Sequence, residues 1–239
     1  MPAIKSFRVT GMKKILVVQS RSSPEWVERE QNNFRRAVGK SAEVEFLSAL
    51  DERLAWTYPD EFLKGQSGVI FGGSSDFDFH GGRSEKDPAR LMATIILTRT
   101  KLIVTYALAQ KVPILGVCFG HQLIAQMRGG DVQCDPTQEK FGSHEVRLTK
   151  EGKADTLFGH LPGSFIAQYW HKDSVTNLPE GATVLATGPS CRFSALRYGD
   201  NVYTTQFHPE VERVAPDKNP KPSPEASELV SQWIERIVA

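Results

Sequence analysis

The chain has 239 residues, 40% of them hydrophobic, enough to bury a sizeable core in one α/β domain or two small ones. Its 29 basic residues nearly cancel its 28 acidic ones, which argues against a nucleic-acid partner or an anionic membrane surface. Three scattered cysteines make neither a disulfide framework nor a zinc pattern, no apolar run reads as long enough to span a membrane, and no secretory leader is visible, so the expected compartment is the cytoplasm.

Residues 1–11 read as an N-terminal extension, in which Phe7 and Val9 could still pack on an edge. Residues 12–239 read as one domain, because no linker, repeat or low-complexity tract interrupts them. The run Ile15-Leu16-Val17-Val18 predicts a buried parallel strand. Residues 24–38 predict a helix with Trp26, Val27, Phe34, Ala37 and Val38 as apolar positions and Gly39 as its stop. A second strand is expected over 43–47, and a poorly patterned stretch with a short helix and a loop containing Trp56 over 50–63. A third strand, 68–71, runs into Gly72-Gly73-Ser74-Ser75. Such a glycine pair is by default a tight turn, but at the carboxyl end of a strand its N–H groups can also face a ligand. Residues 76–83 predict a loop over the strand ends, a lid or specificity loop with Asp78 and His80 solvated. Residues 88–110 predict a long helix whose apolar residues, among them Leu91, Ile95, Leu102 and Ile103, surround it and imply burial against the sheet.

Residues 112–130, VPILGVCFGHQLIAQMRGG, carry the first chemical signal. A short apolar strand (Val112, Ile114, Leu115, Val117) turns sharply at Gly116-Val117-Cys118-Phe119-Gly120. It leaves as a helix with Leu123, Ile124 and Met127 at helical spacing, stopped by Gly129-Gly130. Strand, tight turn with a nucleophilic residue at the apex, and helix make a nucleophile elbow. Cys118 at the first turn of a helix faces its positive end, which favours the thiolate. A buried structural cysteine is the plainer reading of Cys118 alone; the spacing G-x-C-x-G-x-Q and the far end of the chain outweigh it.

Beyond the elbow, 131–134, 143–149, 165–170, 183–187, 193–198 and 202–207 predict short strands, several antiparallel, with one helical turn over 154–158. The Pro-rich stretch 216–224 predicts a surface loop. A last amphipathic helix follows, with Ser223 as N-cap, Pro224 in its first turn, and Leu229, Val230, Trp233, Ile234 and Ile237 facing inward.

The second chemical signal is Gln206-Phe207-His208-Pro209-Glu210. A residue before proline is held extended, and in extended chain positions two apart share a face, so Glu210 could orient His208 and leave its other ring nitrogen for Cys118. Nucleophile, base and orienter of the base form a triad.

GVCFGHQ and QFHPE, in this order and at this separation, resemble the class I glutamine amidotransferases of Cys-His-Glu type, over about residues 12–210. Tyr169-Trp170-His171-Lys172-Asp173-Ser174-Val175, followed by Leu178-Pro179-Glu180-Gly181-Ala182 and Leu185-Ala186, is similar to the GMP-synthase-like group of stand-alone glutaminase domains. With the element order, the resemblance implies a three-layer, flavodoxin-like α/β fold. In it an open, mostly parallel sheet is flanked by helices and antiparallel strands are added in the C-terminal half.

The resemblance also implies roles. Cys118 attacks the side-chain amide of glutamine and forms a thioester, His208 moves the proton, and Glu210 orients His208. The N–H groups of Gly73 and Phe119 form the oxyanion hole. Gln122 and the stretch Trp170, His171 and Asp173 hold the substrate, His171 in a structural role. Neither metal nor organic cofactor is required. Two positions depart from the family pattern: Gly-Gly is followed by Ser74 where G-G-P is usual, and Lys172 stands where synthetase-linked members often carry glycine. No phosphate loop accompanies the elbow, so the implied activity is a glutaminase that passes ammonia to a separate synthase. The alternatives are a γ-glutamyl hydrolase or peptidase with the same triad, acting on another γ-glutamyl compound, and a non-catalytic regulatory module, against which the intact triad speaks.

Overall fold

The computed structural model describes residues 12–212 and 220–238. The expected extension 1–11, with Phe7 and Val9, and residues 216–219 of the expected surface loop lie outside the described residues. The first half of the chain alternates strands and helices: β1 (Lys14–Gln19), α1 (Pro24–Val38), β2 (Glu43–Ser48), α2 (Pro59–Leu63), β3 (Gly68–Phe71), α3 (Pro88–Ala109), β4 (Ile114–Val117) and α4 (Phe119–Met127). The second half is richer in strands: β5 (Val132–Cys134), β6 (Lys140–Leu148), α5 (Lys150–Lys153), β7 (Ser164–His171), β8 (Asp173–Val175), β9 (Ala182–Thr187), β10 (Ala195–Tyr198) and β11 (Val202–Thr205). It closes with α6 (Pro224–Ser227) and α7 (Leu229–Arg236).

Among the described residues the main sheet runs β2-β1-β3-β4-β11-β10-β9-β6-β7. It is parallel from β2 to β11 and antiparallel from β11 to β7. This is the expected three-layer α/β fold with antiparallel additions. Alternation along β1 shows the layers. Ile15 and Val17 join the core beneath α1 and α7, with Phe34, Val38, Trp233 and Ile234; Leu16 and Val18 join the core beneath α3 and α4, with Ile96, Ile103, Leu123 and Ile124. A strand covered on both faces is apolar through its middle, as β1 is from Ile15 to Val18. β11 returns from the antiparallel half to pair with β4, Thr205 opposite Val117. β3 flanks β4 on the other side, Phe71 opposite Gly116. The loops after β3, β4 and β11 therefore gather at one edge.

The structure corrects several local expectations. α3 is long and apolar enough by length and composition to cross a membrane, so the expectation that no segment reaches that length fails. Nor is it buried all round: Ala93, Ile96, Ile103 and Ala107 face the core, while Leu91 (52% exposed), Ile95 and Leu102 point outward, because one sheet covers only one face of a helix. The helical turn expected over 154–158 forms earlier as α5, where the Thr149 hydroxyl accepts the Gly152 N–H at 2.9 Å. The last helix is two pieces, α6 and α7, broken at Glu228, and Ile237 is only half-buried. Ser223 precedes α6 as expected, but its hydroxyl does not cap the helix; it bonds the Glu212 carbonyl at 3.0 Å. β8, unforeseen, pairs with β5 in a separate two-stranded sheet.

The first turn of α4 lies directly on the end of β3. The Gly120 N–H donates to the Gly72 carbonyl at 3.1 Å, and a Cβ on Gly120 would collide with the carbonyl of Phe71. Backbone cannot yield as a side chain does, so Gly120→Ala should destabilise the fold by about 3 kcal/mol, read from the shift in urea midpoint at unchanged slope.

Candidate active site

Cys118 sits where β4 becomes α4, at φ 53° and ψ −102°, a left-handed backbone that costs a non-glycine residue about 1–2 kcal/mol. Three main-chain bonds hold it there. Its N–H donates to the Thr205 carbonyl of β11 at 2.8 Å, its carbonyl accepts the Gln122 N–H at 3.1 Å, and the Gly120–Gly72 bond fixes the next turn. Gly116 admits this path because a Cβ there would stand 2.7 Å from the Gly120 carbonyl oxygen. The thiol is buried at the start of α4, with Sγ 3.6 Å from the Trp170 carbonyl. The Phe119 N–H has no acceptor among the described residues, as befits the first residue of a helix.

His208 lies beyond the end of β11, next to the elbow. Its N–H donates to the Gln168 carbonyl at 2.8 Å, and its Nδ1 is 2.7 Å from Glu210 Oε1. The expected pairing is thus present, but its geometry differs from the expectation. Residues 209 and 210 form a turn, and the turn rather than a shared face of extended chain brings the carboxylate back to the ring. Burial alone would push the imidazole toward neutrality. The Glu210 carboxylate first, and the neighbouring Cys118 sulfur after it, outweigh that and raise its pKa to about 10. The ring is therefore a strong acceptor for a proton, between a carboxylate and a sulfur.

Gly73 is where the loop after β3 should be, against the side chains of Cys118 and His208. A Cβ built on it would lie 3.6 Å from Cys118 Cβ and 2.9 Å from His208 Cε1. Its N–H, however, points elsewhere: it donates to Glu30 Oε1 at 3.1 Å. The expectation of a free oxyanion donor at Gly73 is not met in this arrangement. Glu30 is buried and also accepts from Gln19 Nε2 and Arg21 Nε, each at 2.9 Å. Burial pushes its carboxyl pKa up, against the pull of Arg21. Glu30 and Arg21 were missed from the sequence. The signal was there: Glu30 stands in the inward stripe Val27, Phe34, Val38 of α1, where a charge needs a buried partner.

A cavity of about 120 Å³ opens on Cys118, lined by Ser74, Asp78, Arg83, Gln122, Trp170 and Lys172 among others. The acidic and basic groups at its mouth suit the two charged ends of an amino acid. Trp170 is 42% exposed, its ring edge against Phe141 at 5.2 Å between centroids. Gln122 braces the floor, donating to the Asp173 carbonyl at 2.7 Å and Gln206 Oε1 at 3.3 Å. His171 is buried with Nδ1 2.9 Å from the Asp173 carbonyl, and burial pulls its pKa to about 4, in keeping with a structural role.

Asp173 does something the sequence did not suggest. Its carboxylate accepts the N–H groups of His80 (2.7 Å) and Gly81 (2.6 Å) and so ties the 76–83 loop over the cavity. Phe79 of that loop stacks on Phe119 at 4.9 Å. Asp78 and His80 are therefore not simply solvated: Asp78 pairs with Arg83 at 3.0 Å, and His80 is half-buried. His80, Cys134 and Asp173 bring polar atoms within 4.8 Å of one another, a spacing a metal could use. The donor set does not favour one. His80 Nδ1 accepts the Gly82 N–H at 3.1 Å, which leaves the proton on Nε2, and both Asp173 oxygens are occupied by the loop.

Comparison with known proteins agrees with the geometry. The family model described as glutamine amidotransferase class-I matches residues 86–220. A subunit of the glutamine-hydrolysing GMP synthase of Methanocaldococcus jannaschii is 39% identical over 116 residues, 48% of this chain and 60% of that one, so the chain spans about 60% of that relative's length. Its counterpart in Methanopyrus kandleri is 31% identical over 157 residues, 65% of this chain and 72% of that one. The crystal structure of a protein assigned as a GMP synthase subunit from Thermoplasma acidophilum shares the fold, with a TM-score of 0.68, 22% identity and 94% of each chain covered.

The His208 pair gives stability a pH dependence of definite sign. The folded pKa is raised to about 10, above the ordinary value near 6.5. The contribution is therefore complete below pH ~6.5 and is lost as pH rises through the folded value. Calorimetry should show the Tm of the wild-type chain falling between pH 7 and 10 more steeply than that of His208→Gln.

Proposed function

We infer that this chain, which belongs to the class I glutamine amidotransferase family, hydrolyses the side-chain amide of L-glutamine and passes the ammonia to a separate synthase. The observation that carries the reading is a cysteine strained into a buried elbow beside a histidine that a carboxylate holds at 2.7 Å. His208 takes the thiol proton of Cys118 as the sulfur approaches the substrate. The sulfur adds to the amide carbon, forming the S–C bond, while the carbonyl electrons move to oxygen and face the Phe119 N–H. As the C–N bond breaks, His208 gives its proton to nitrogen and ammonia leaves, with the glutamyl group on sulfur as a thioester. The neutral ring then takes a proton from water, the hydroxide attacks the thioester carbon, and glutamate departs as the S–C bond breaks. Glu210 keeps the ring oriented throughout, and no step calls for a metal or an organic cofactor.

The cavity charges from Arg83, Lys172 and Asp78 support an amino-acid substrate, and Gln122, Trp170 and Asp173 shape its walls. The relatives are named as glutamine-hydrolysing synthase subunits, which supports glutamine over other γ-glutamyl amides and a GMP-synthase-like partner. Three free cysteines suit the reducing cytoplasm, where a nucleophilic thiol persists.

Ammonia release from L-glutamine tests this reading. Cys118→Ala should abolish release, and Glu210→Gln should lower kcat by about two orders of magnitude. Faster turnover of a γ-glutamyl peptide than of glutamine would overturn the choice of substrate.

A further inference from the structure

The oxyanion hole needs two donors, and the expected second one is already engaged. The Gly73 N–H is bound to Glu30 at 3.1 Å, and that carboxylate is no loose acceptor. It is 2% exposed, anchored by Arg21 Nε and Gln19 Nε2 at 2.9 Å each, and packed so closely beneath the loop that a Cβ on Gly72 would lie 2.7 Å from it. A buried carboxylate stripped of one of its three donors loses about 1–3 kcal/mol, so the arrangement resists rotation of the Gly73 amide toward sulfur. The next amide along is Ser74. Its N–H donates to no group among the described residues, and Ser74 lines the cavity that contains Cys118. Its hydroxyl accepts the N–H groups of Asp76 (3.2 Å) and Phe77 (3.0 Å), which fixes the turn from the far side. Ser75, one residue on, is exposed, with its hydroxyl on Arg21 at 3.2 Å.

We propose that the Ser74 N–H, together with that of Phe119, is the oxyanion donor in this chain, and that Glu30 is a positioning residue that sets the loop by holding the Gly73 N–H. The inference rests on the glutaminase reading for its reaction and departs from the donor that the family resemblance implies. It gives the serine at position 74 a chemical meaning: a proline there would have no N–H to offer. Arg21 serves the same end. It balances Glu30 from within the protein, and it lies close enough to feel the Glu210 carboxylate.

The experiment compares Ser74→Pro, Ser74→Ala, Glu30→Ala and Glu30→Gln with wild type in three assays: glutamine turnover, acylation of Cys118 by p-nitrophenyl acetate, and alkylation of Cys118 by iodoacetamide. The first two pass through an oxyanion; the third does not. Ser74→Pro should slow both acyl transfers about a hundredfold, with KM for glutamine little changed, whereas Ser74→Ala, which keeps the N–H but releases the Asp76 and Phe77 N–H groups, should lose about tenfold at most. Glu30→Ala should slow acyl transfer about tenfold, and Glu30→Gln, which keeps an acceptor oxygen, should recover part of the loss. Alkylation should hold near the wild-type rate in all four. Full acyl transfer by Ser74→Pro would return the donor to Gly73 and overturn the proposal. So would a rise in rate in Glu30→Ala, the mark of a latch, or an equal fall in alkylation, the mark of a collapsed elbow. A wild-type chain inert toward glutamine would refute the glutaminase reading instead, and the ester assay would still decide the donor.

Discussion

A cysteine held at positive φ persists only where its surroundings leave the backbone no better choice. At Cys118 that constraint comes from the pairing of β11 with β4. The Thr205 carbonyl takes the Cys118 N–H, and the same strand then delivers His208 beside the sulfur. Strain and chemistry share one cause. Without β11 in the centre of the sheet, the elbow would lose its anchor and Cys118 its neighbour His208 together. The glycines at 116 and 120 are the steric condition for this arrangement, since each meets backbone where a side chain would be.

The charges around the sulfur are layered. A proton on His208 is stabilised by Glu210 and the sulfur, and behind it Arg21 and Glu30 form a second buried pair. A buried ion pair is seldom a large source of stability, because desolvation takes back most of the Coulombic gain. Fixed geometry is the more general return for such a pair. Here one pair orients the imidazole and the other binds the main chain of the loop that borders the reacting carbon. The opposite wall is organised by a carboxylate as well: Asp173 uses both oxygens to hold the loop 76–83, and Phe79 seals it against Phe119. Three acidic residues thus position parts of the site through bonds to a ring, a loop N–H and a lid, and Glu30 alone among them stands outside a recognisable motif.

The motifs were legible because they are local. Ile15 to Val18, the strand into Gly116, the helix from Phe119 and the His208-Pro209-Glu210 turn all depend on neighbours within a few residues, so periodicity and turn chemistry exposed them. The strands β2, β3, β9 and β11 begin within a residue of where alternation put them. Break points were less legible: the last helix divides at Glu228 with no side-chain cap to mark it, and the early position of α5 turns on a single bond from Thr149.

The sequence by itself determined the elements, the elbow and which residues are proposed as nucleophile, base and orienter of the base. The tertiary structure decided which face of α3 the sheet covers, that Glu30 takes the Gly73 N–H, and that Asp173 clamps the loop across the cavity. Burial and hydrogen-bond partners are properties of through-space neighbours. Glu30 and Gly73 stand 43 residues apart, and Asp173 and His80 stand 93 apart. No local pattern records such a meeting; it exists only once the sheet has brought the strand ends to one edge.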